Sequence, residues 1–518
     1  MTENTLAKAT FKQWIAVIGS LLGAFMAILD ISITNASLQD IQGGLSATLD
    51  EGAWISTAYL VAEIIVIPLT GWLSQVFGLR RYLLWSASVF IVASMLCGTS
   101  QSLNEMIFFR VIQGFSGGVL IPLSATIILT HLPSSQRPLG LALFSLSATF
   151  APCIGPTIGG WLTVNYSWPY IFYINLVPGL LLLFLVGYGV EKSDMKLDLI
   201  RQGDWWGIAS MATALGCLTV VLEEGVRKDW FGSDLILYLT IALVAASVLF
   251  LLVEVHNPKP FINIRLLLRR NFLLVNLGAL AFGFGIYGSI FILPLFLAQI
   301  ERFDAIQIGE IIMWSGIPQL VIIPVLPLLV RRFDNRILAG IGFLLFGTSA
   351  FMNAGLTKDW GYDQFLWSQI VRAAGQPFII TCMSNLAYAG MEPSEVGSAS
   401  GLFNMMRNLG GSIGIGVLGA VLNNRYHLHF TRIAEATSRF SLAAQQQVAN
   451  RTEILGLRSS GEDLHQAMAT VFGTMNREAF VMAYSDCFLA IGVMFYVSVV
   501  LIAFIQKAKA PVGMVSGH

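Results

Sequence analysis

The chain alternates long apolar runs with short polar stretches. Fourteen runs are long enough to cross a bilayer, which takes roughly 20 mostly apolar residues in a helix. They cover residues 14–38, 53–77, 82–101, 104–130, 138–162, 170–190, 205–222, 235–253, 272–299, 308–330, 337–356, 365–389, 398–422 and 479–505. The first run is too long for a signal-peptide core and contains Asp30, so it reads as a retained span. The expected fold class is therefore an all-α membrane protein with 14 transmembrane helices. An even number of spans puts both termini on one side.

The basic residues choose that side. Segments on the side of the termini carry 17 lysines and arginines, among them Lys12, Arg80, Arg81, Arg137, Arg269 and Arg331. The short segments opposite carry four: Arg227, Lys228, Arg302 and Lys358. Basic loops stay in the cytoplasm, so both termini are expected there. Eleven of the twelve tryptophans fall near run ends or in short loops, as an interfacial belt requires, and Trp314 is the exception. Residues 423–478 form the one long outer segment, polar but with Phe430, Ile433, Phe440 and Leu442 at helical intervals. It reads either as a solvated helical flap or as a docking surface for a periplasmic partner.

Composition narrows the function. The chain is 55% hydrophobic and 12% charged, with a mean hydropathy of +0.72. Soluble chains carry about 25% charged residues, so a soluble enzyme and a disordered protein are both excluded. Lysine plus arginine equals aspartate plus glutamate at 30 each. A nucleic-acid partner, which needs a basic surface, is not expected.

Soluble-enzyme motifs fail in context. Gly114-Phe-Ser-Gly117-Gly118 has the spacing of a nucleophile elbow but lies within an apolar run, without the strand–turn–helix it needs. Gly283-Phe-Gly285-Ile-Tyr-Gly288 and Gly414-Ile-Gly416-Val-Leu-Gly419 match a dinucleotide fingerprint, yet neither follows a strand. Small residues at such spacing let membrane helices approach closely. No lysine follows a glycine, so there is no Walker A sequence. The five cysteines, Cys97, Cys153, Cys217, Cys382 and Cys487, are dispersed in apolar runs and give no zinc or disulfide pattern. His427 and His429 read as a solvated pair, and no metal is expected.

Ionisable groups inside the runs are the informative residues, because each costs several kcal/mol at the bilayer centre, about 2.5–3.5 on insertion scales. The candidates are Asp30, Glu63, Arg110, Arg372 and Arg407, with Glu310 and Asp486 nearer the run ends. Asp30 reads either as a carboxylate satisfied by a neighbouring helix or as a protonatable carrier, since a desolvated carboxylate can exchange a proton near neutral pH. Arg110 keeps its charge under all working conditions, so its use is to govern a nearby carboxylate or anchor a polar network. Glu63 could attract a cationic substrate, carry a second proton or simply be hydrated. Gly155-Pro156-x-x-Gly159-Gly160 describes a thin, bendable helix suited to a carrier.

Taken together these residues resemble the major facilitator superfamily, and within it the fourteen-helix drug:proton antiporters of the EmrB/QacA type, closest to the EmrB branch. Leu29-Asp30-Ile-Ser-Ile-Thr34-Asn35-Ala36 is similar to that family's first-helix motif. Gly71-Trp-Leu73-Ser-Gln75-Val-Phe-Gly78-Leu-Arg80-Arg81 resembles the loop motif between helices 2 and 3, with Gln75 where the superfamily usually has aspartate. Arg110-x-x-Gln113-Gly114 resembles the fourth-helix motif, and Gly155-Pro156-Thr-Ile-Gly159-Gly160 the fifth-helix motif of exporters. The stretch from Gly401 to Gly414, with Asn404, Arg407 and Asn408, is similar to the thirteenth-helix signature.

The resemblance implies a major facilitator fold of two six-helix bundles with two inserted helices. The expected division is residues 1–190, 191–256 and 257–518, the last including the periplasmic loop at 423–478. It implies a proton-coupled antiporter of the inner membrane, without cofactor, exporting small lipophilic molecules by alternating access. Asp30, Arg110 and Glu63 would couple protons. Phe25, Asn35, Tyr59, Glu63, Gln113, Tyr287, Phe291 and Asn404 would contact substrate. The branch implies a tripartite pump with a periplasmic membrane-fusion adaptor and an outer-membrane channel. The alternatives are a dedicated exporter of one natural product (a siderophore, fatty acid or peptide) and a non-transporting membrane sensor or scaffold.

Overall fold

A computed structural model describes residues 9–133, 135–201, 203–257, 264–303, 305–391, 395–436 and 461–506. Among these residues the regular structure is helical, with no strand. The long helices are α1 (Phe11–Ala36), α2 (Trp54–Phe77), α3 (Leu79–Gly98), α4 (Leu103–His131), α5 (Arg137–Asn165), α6 (Tyr170–Gly189) and α7 (Trp205–Glu224). They continue with α8 (Asp234–His256), α9 (Arg270–Gln299), α10 (Gln307–Arg332), α11 (Asn335–Asn353), α12 (Tyr362–Tyr388), α13 (Val396–Ala436) and α14 (Gly461–Ala503).

Each of the fourteen predicted spans falls on one of these helices. Twelve described helices are by themselves long and apolar enough to cross a membrane, and α5, taken as one bent span, makes a thirteenth. The remaining helix, α12, falls short because Gln369, Arg372 and Gln376 lie along it. All three are buried, so its polar stripe is turned inward, away from lipid.

Local chemistry sets several helix ends. Thr10 and Gln13 cap each other at the start of α1, and Ser102 accepts from the Glu105 amide at the start of α4. Prolines 152 and 156 lie inside α5, which bends by 42° between Leu139–Pro152 and Ile154–Asn165. Helix α10 is interrupted by a 3-10 turn at Met313–Ser315. Trp314 sits in that turn and its indole N–H donates to the Tyr362 hydroxyl at 2.5 Å. Tyr362 is the first residue of α12, so the bond puts Trp314 near a helix end, level with the other tryptophans.

The glycine patterns mark helix crossings. Gly283 faces the backbone of Arg407, Gly410 that of Leu280, and Gly414 that of Phe284, so a side chain at any of them would enter the opposite helix. This is how α9 and α13 pack. Gly114 and Gly118 press against the backbone of Tyr59 and Glu63 and bring α4 onto α2; Gly155 and Gly159 bring α5 onto Ser32 and Ile33 of α1. Small residues matter here because close backbone approach gains dispersion contacts that lipid alone does not supply.

Helices α1–α6 form one group and α9–α14 another. They meet through α2 and α4 on α13, and through α5 on α10 and α12. At the end carrying the N-terminus, Arg331 donates to the Ser135 carbonyl at 2.7 Å, beside an apolar cluster of Ala142, Ile323 and Leu326. Toward the opposite end, Gly309 packs on Thr157. The seam is thus closed on both sides of its centre. Helix α7 fills the outer groove between α2 and α13, with Thr57 donating to Glu224 at 3.2 Å and Gly416 against Leu222. Helix α8 packs on α7 and leaves Tyr238, Ile241, Val244, Val248 and Leu252 exposed, the surface of a helix facing hydrocarbon.

The described parts of the expected loop at 423–478 are helix. Residues 423–436 and 461–478 extend α13 and α14, while residues 437–460, with Phe440 and Leu442, lie outside the described residues. At 41 residues α13 is roughly 60 Å long, about twice the hydrocarbon thickness. The extensions are zipped together by Tyr426 stacked on Phe480 at 4.1 Å and Phe430 against Phe472 at 5.4 Å. The predicted span edges fell short because the apolar pattern stops where lipid stops, whereas each helix continues against a partner.

Candidate functional site

The candidate site starts from an ion pair inside the first group of helices. Asp30 lies in the last third of α1 and Arg110 in the first third of α4. Arg110 Nη1 donates to Asp30 Oδ2 at 2.5 Å, and both side chains are 1% exposed. Gly114, one turn further along α4, lets the helix approach α2 closely enough for Arg110 Nε to donate to the Ile55 carbonyl at 3.2 Å. The guanidinium lies 4.3 Å from the Tyr59 ring centroid, a cation–π contact. Gln113 serves both partners: its carbonyl accepts from Arg110 Nη1 at 2.8 Å and its amide donates to Asp30 Oδ1 at 2.9 Å.

One further residue completes the carboxylate's partners. Asn175 Nδ2 donates to Asp30 Oδ1 at 2.8 Å and to Ser94 Oγ at 3.0 Å. Sequence reasoning missed Asn175, although a polar residue within the apolar run 170–190 was a visible signal. Asp30 therefore accepts from three side chains and faces one permanent positive charge. Breaking such a buried pair from one side is costly. Of its two charged members only Asp30 can change protonation state, because the guanidinium does not deprotonate.

A second set lies at the seam. Glu63 of α2 is buried and accepts from Asn408 of α13 at 3.4 Å, a hydrogen bond between the two groups of helices. Near it is a narrow gap of about 10 Å³, lined by Ile28, Pro152, Phe282, Tyr287, Ile380 and Arg407 among others. Its walls are apolar, with Tyr287 and Arg407 as the polar contributors. As it stands the gap has room for about one water, so an apolar molecule would enter only after the two groups of helices part.

The structure brings some expected residues together and separates others. Asp30, Arg110, Gln113 and Tyr59 form one network, with Tyr59 and Gln113 fully buried in it. Of the residues expected to touch substrate, Tyr287 lines the gap at the seam. Phe25 and Phe291 are half-buried against the core, outside its lining. Asn35 lies at the exposed end of α1 and accepts from Ser56 at 2.6 Å, and Asn404 is fully buried and donates to the Ser400 carbonyl within α13.

The motif residues have separate mechanical places. Gly71 is buried in α2. Gly78 turns the chain at φ 79°, a conformation suited to glycine, with Ser193 against it. Arg80 donates to the Gly187 carbonyl at the C-terminal end of α6, and Arg81 is half-buried at the same end. These contacts stay within the first group of helices. In α5, Gly155 and Gly159 abut α1, Pro156 is half-buried and Gly160 is buried. His427 and His429 diverge: His429 pairs with Asp486 at 2.7 Å and His427 is exposed. Among the described residues no group of three or more His, Cys, Asp or Glu could hold a metal ion.

The sequence profile of the Major Facilitator Superfamily matches residues 20–415. The chain is 34% identical over 489 residues to the colistin resistance protein EmrB of Acinetobacter baumannii, covering 92% of this chain and 96% of that protein. It is 31% identical over 506 residues to the multidrug export protein EmrB of Escherichia coli, covering 96% and 95%. It is 28% identical over 493 residues to the fatty acid resistance protein FarB of Neisseria gonorrhoeae, covering 95% of each. Among solved structures, the human organic anion transporter MFSD10 superposes with a TM-score of 0.59 at 16% identity, covering 95% of this chain and 99% of that one. That likeness concerns the fold.

Proposed function

Because the chain belongs to the major facilitator superfamily and, within it, to the EmrB-type group, we propose that it is a proton-coupled antiporter exporting lipophilic drugs or toxic compounds by alternating access. The observation that carries this reading is the buried Asp30–Arg110 pair, sealed within one group of helices beside an apolar space at the seam. A scaffold has no need of an ion pair so costly to bury. Arg110 is the fixed charge and Asp30 the group that takes and gives up the proton. A proton entering from the outer side cancels the carboxylate's attraction to Arg110, loosens α1 from α4 and releases substrate outward, and the empty protonated carrier then returns. Loss of the proton on the other side restores the pair.

In this cycle residues 1–190 and 257–518 rock about the seam, residues 191–256 supply the inserted helices, and the proton gradient is the energy source. The excess of basic residues at one end supports a cytoplasmic position for both termini of an inner-membrane protein. Relatives named for multidrug export and colistin resistance support toxic, lipophilic cargo. A periplasmic adaptor and an outer-membrane channel would complete a tripartite pump, a reading supported by the projecting ends of α13 and α14.

A second reading is favoured by one observation: Arg407 is the charged residue among those lining the apolar space. A cation in an apolar pocket suits an amphipathic carboxylate, and one relative is named for fatty acid resistance. On this reading the protein is a dedicated exporter of such an anion.

The test uses inside-out membrane vesicles with an acid interior followed by a fluorescent pH probe. Lipophilic cations and fatty acids are added in turn. Substrate-dependent loss of the gradient that vanishes in Asp30→Asn supports antiport and names the cargo. Undiminished gradient-driven transport by Asp30→Asn overturns the mechanism.

A further inference from the structure

The geometry points to Asn175 as a positioning residue that sets the pH at which Asp30 changes protonation state; this rests on the proton-carrier reading of Asp30. Asn175 stands in the turn between the helical segments Tyr170–Tyr173 and Leu176–Gly189 of α6 and is 1% exposed. Its amide is anchored at both hydrogens, one on Asp30 Oδ1 and the other on Ser94 Oγ. Ser94 in turn donates to the Phe172 carbonyl at 2.9 Å, so the amide is held from the α3 side as well.

The two oxygens of Asp30 are held differently. Oδ2 faces Arg110, whose guanidinium is fixed by the Ile55 carbonyl and the Tyr59 ring. Oδ1 accepts from Gln113 and Asn175. Gln113 is committed to Arg110 through its own carbonyl, so it follows the ion pair. Asn175 makes no bond to Arg110 and is the donor on the opposite wall. It acts on the carboxylate independently of the ion pair. The ionisable groups around Asp30 are Arg110 of α4, Tyr59 and Glu63 of α2, and Cys97 of α3. From α6 come Asn175 and the Phe172 ring. A neutral amide donor favours the charged carboxylate over the protonated acid. Removing it therefore favours protonation and moves proton uptake to higher pH.

Infrared titration of the purified full-length protein reads this without a substrate. The carbonyl stretch of a protonated carboxyl that disappears in Asp30→Asn identifies the Asp30 signal. Its midpoint is then compared in Asn175→Leu and in the isosteric Asn175→Asp. The expected result is an alkaline shift of roughly one pH unit or more for Asn175→Leu, the worth of one hydrogen bond to a charged group. In Asn175→Asp the two carboxyls share one proton, so the protonated-carboxyl band of the pair persists to higher pH than in the parent. Midpoints unchanged in both variants overturn the role of Asn175 while leaving the proton-carrier reading intact. Absence of any Asp30-dependent signal over the titration overturns both. A purely structural residue would lower stability without moving the midpoint.

Discussion

Arg110 and Asp30 meet at 2.5 Å with almost no solvent contact, and each is braced by groups that do not touch the other: Ile55 and Tyr59 for the arginine, Asn175 for the aspartate. Such a pair stabilises little against an apolar replacement, yet it is expensive to break from one side. Arg110→Leu should therefore lower stability by about 3–5 kcal/mol. Asp30→Asn combined with Arg110→Leu should recover most of that loss while remaining unable to couple protons. Thermal unfolding in detergent checks the first part and vesicle proton flux the second. Equal instability in the single and double variants would contradict the pair's role.

Closure of the seam at both ends can be tested by locking each end. Cysteines replacing Ser135 and Arg331 at one end, or Thr157 and Gly309 at the other, lie where the groups of helices touch. In a background lacking the native cysteines, a short bifunctional cross-linker at either pair should stop transport at least tenfold, and a reducible linker should let it recover. A cross-linked protein that still transports at full rate would mean that the touching ends need not separate.

The α9–α13 crossing predicts a sharp contrast between glycines. Gly283→Leu and Gly410→Leu drive a side chain into the facing backbone and should each destabilise by about 1–3 kcal/mol or more. Gly340→Ala meets nothing within 4 Å and should be nearly neutral. Thermal melts of the three variants in one detergent give the comparison.

Arg407 and Glu63 separate the two cargo readings. If the pocket holds an amphipathic carboxylate at Arg407, then Arg407→Gln should weaken its transport by roughly tenfold or more, the worth of one charge-assisted hydrogen bond. Transport of a lipophilic cation should change far less. Glu63→Gln keeps a group able to accept from Asn408 but removes the negative charge, so cation transport should suffer most. Competition assays with one anion and one cation read both variants.

The apolar runs made the number and order of the helices legible, because lipid imposes length and apolarity on every span. What they hid was governed by protein contacts. The ends of α13 and α14 run past the apolar pattern because Tyr426, Phe430, Phe472 and Phe480 hold each other. Helix α12 was legible as the run 365–389, but the apolar pattern did not show that Arg372 and two glutamines along it are buried inside the fold. Asp30 and Arg110 stood out because a charge in an apolar run is costly; Asn175 did not, because a neutral amide costs less and no spacing marks it. Substrate contacts were chosen by depth, which fixes height along a helix but not direction. Tyr59 and Tyr287 were chosen on the same ground, yet one is enclosed in the ion-pair network and the other lines the space at the seam.

The zipped extensions of α13 and α14 make the second group of helices a lever. Beyond the end of α9, residues 461–478 of α14 add about 25 Å of continuous helix. Fixed at its base by helix continuity, that length converts each degree of tilt in the bundle into roughly 0.4 Å of travel at the tip, by the same rise per residue. A tilt of about ten degrees becomes a displacement of roughly four ångströms at the tip. If the two groups of helices rock as proposed, the projecting ends of α13 and α14 carry that rocking away from the bundle as motion.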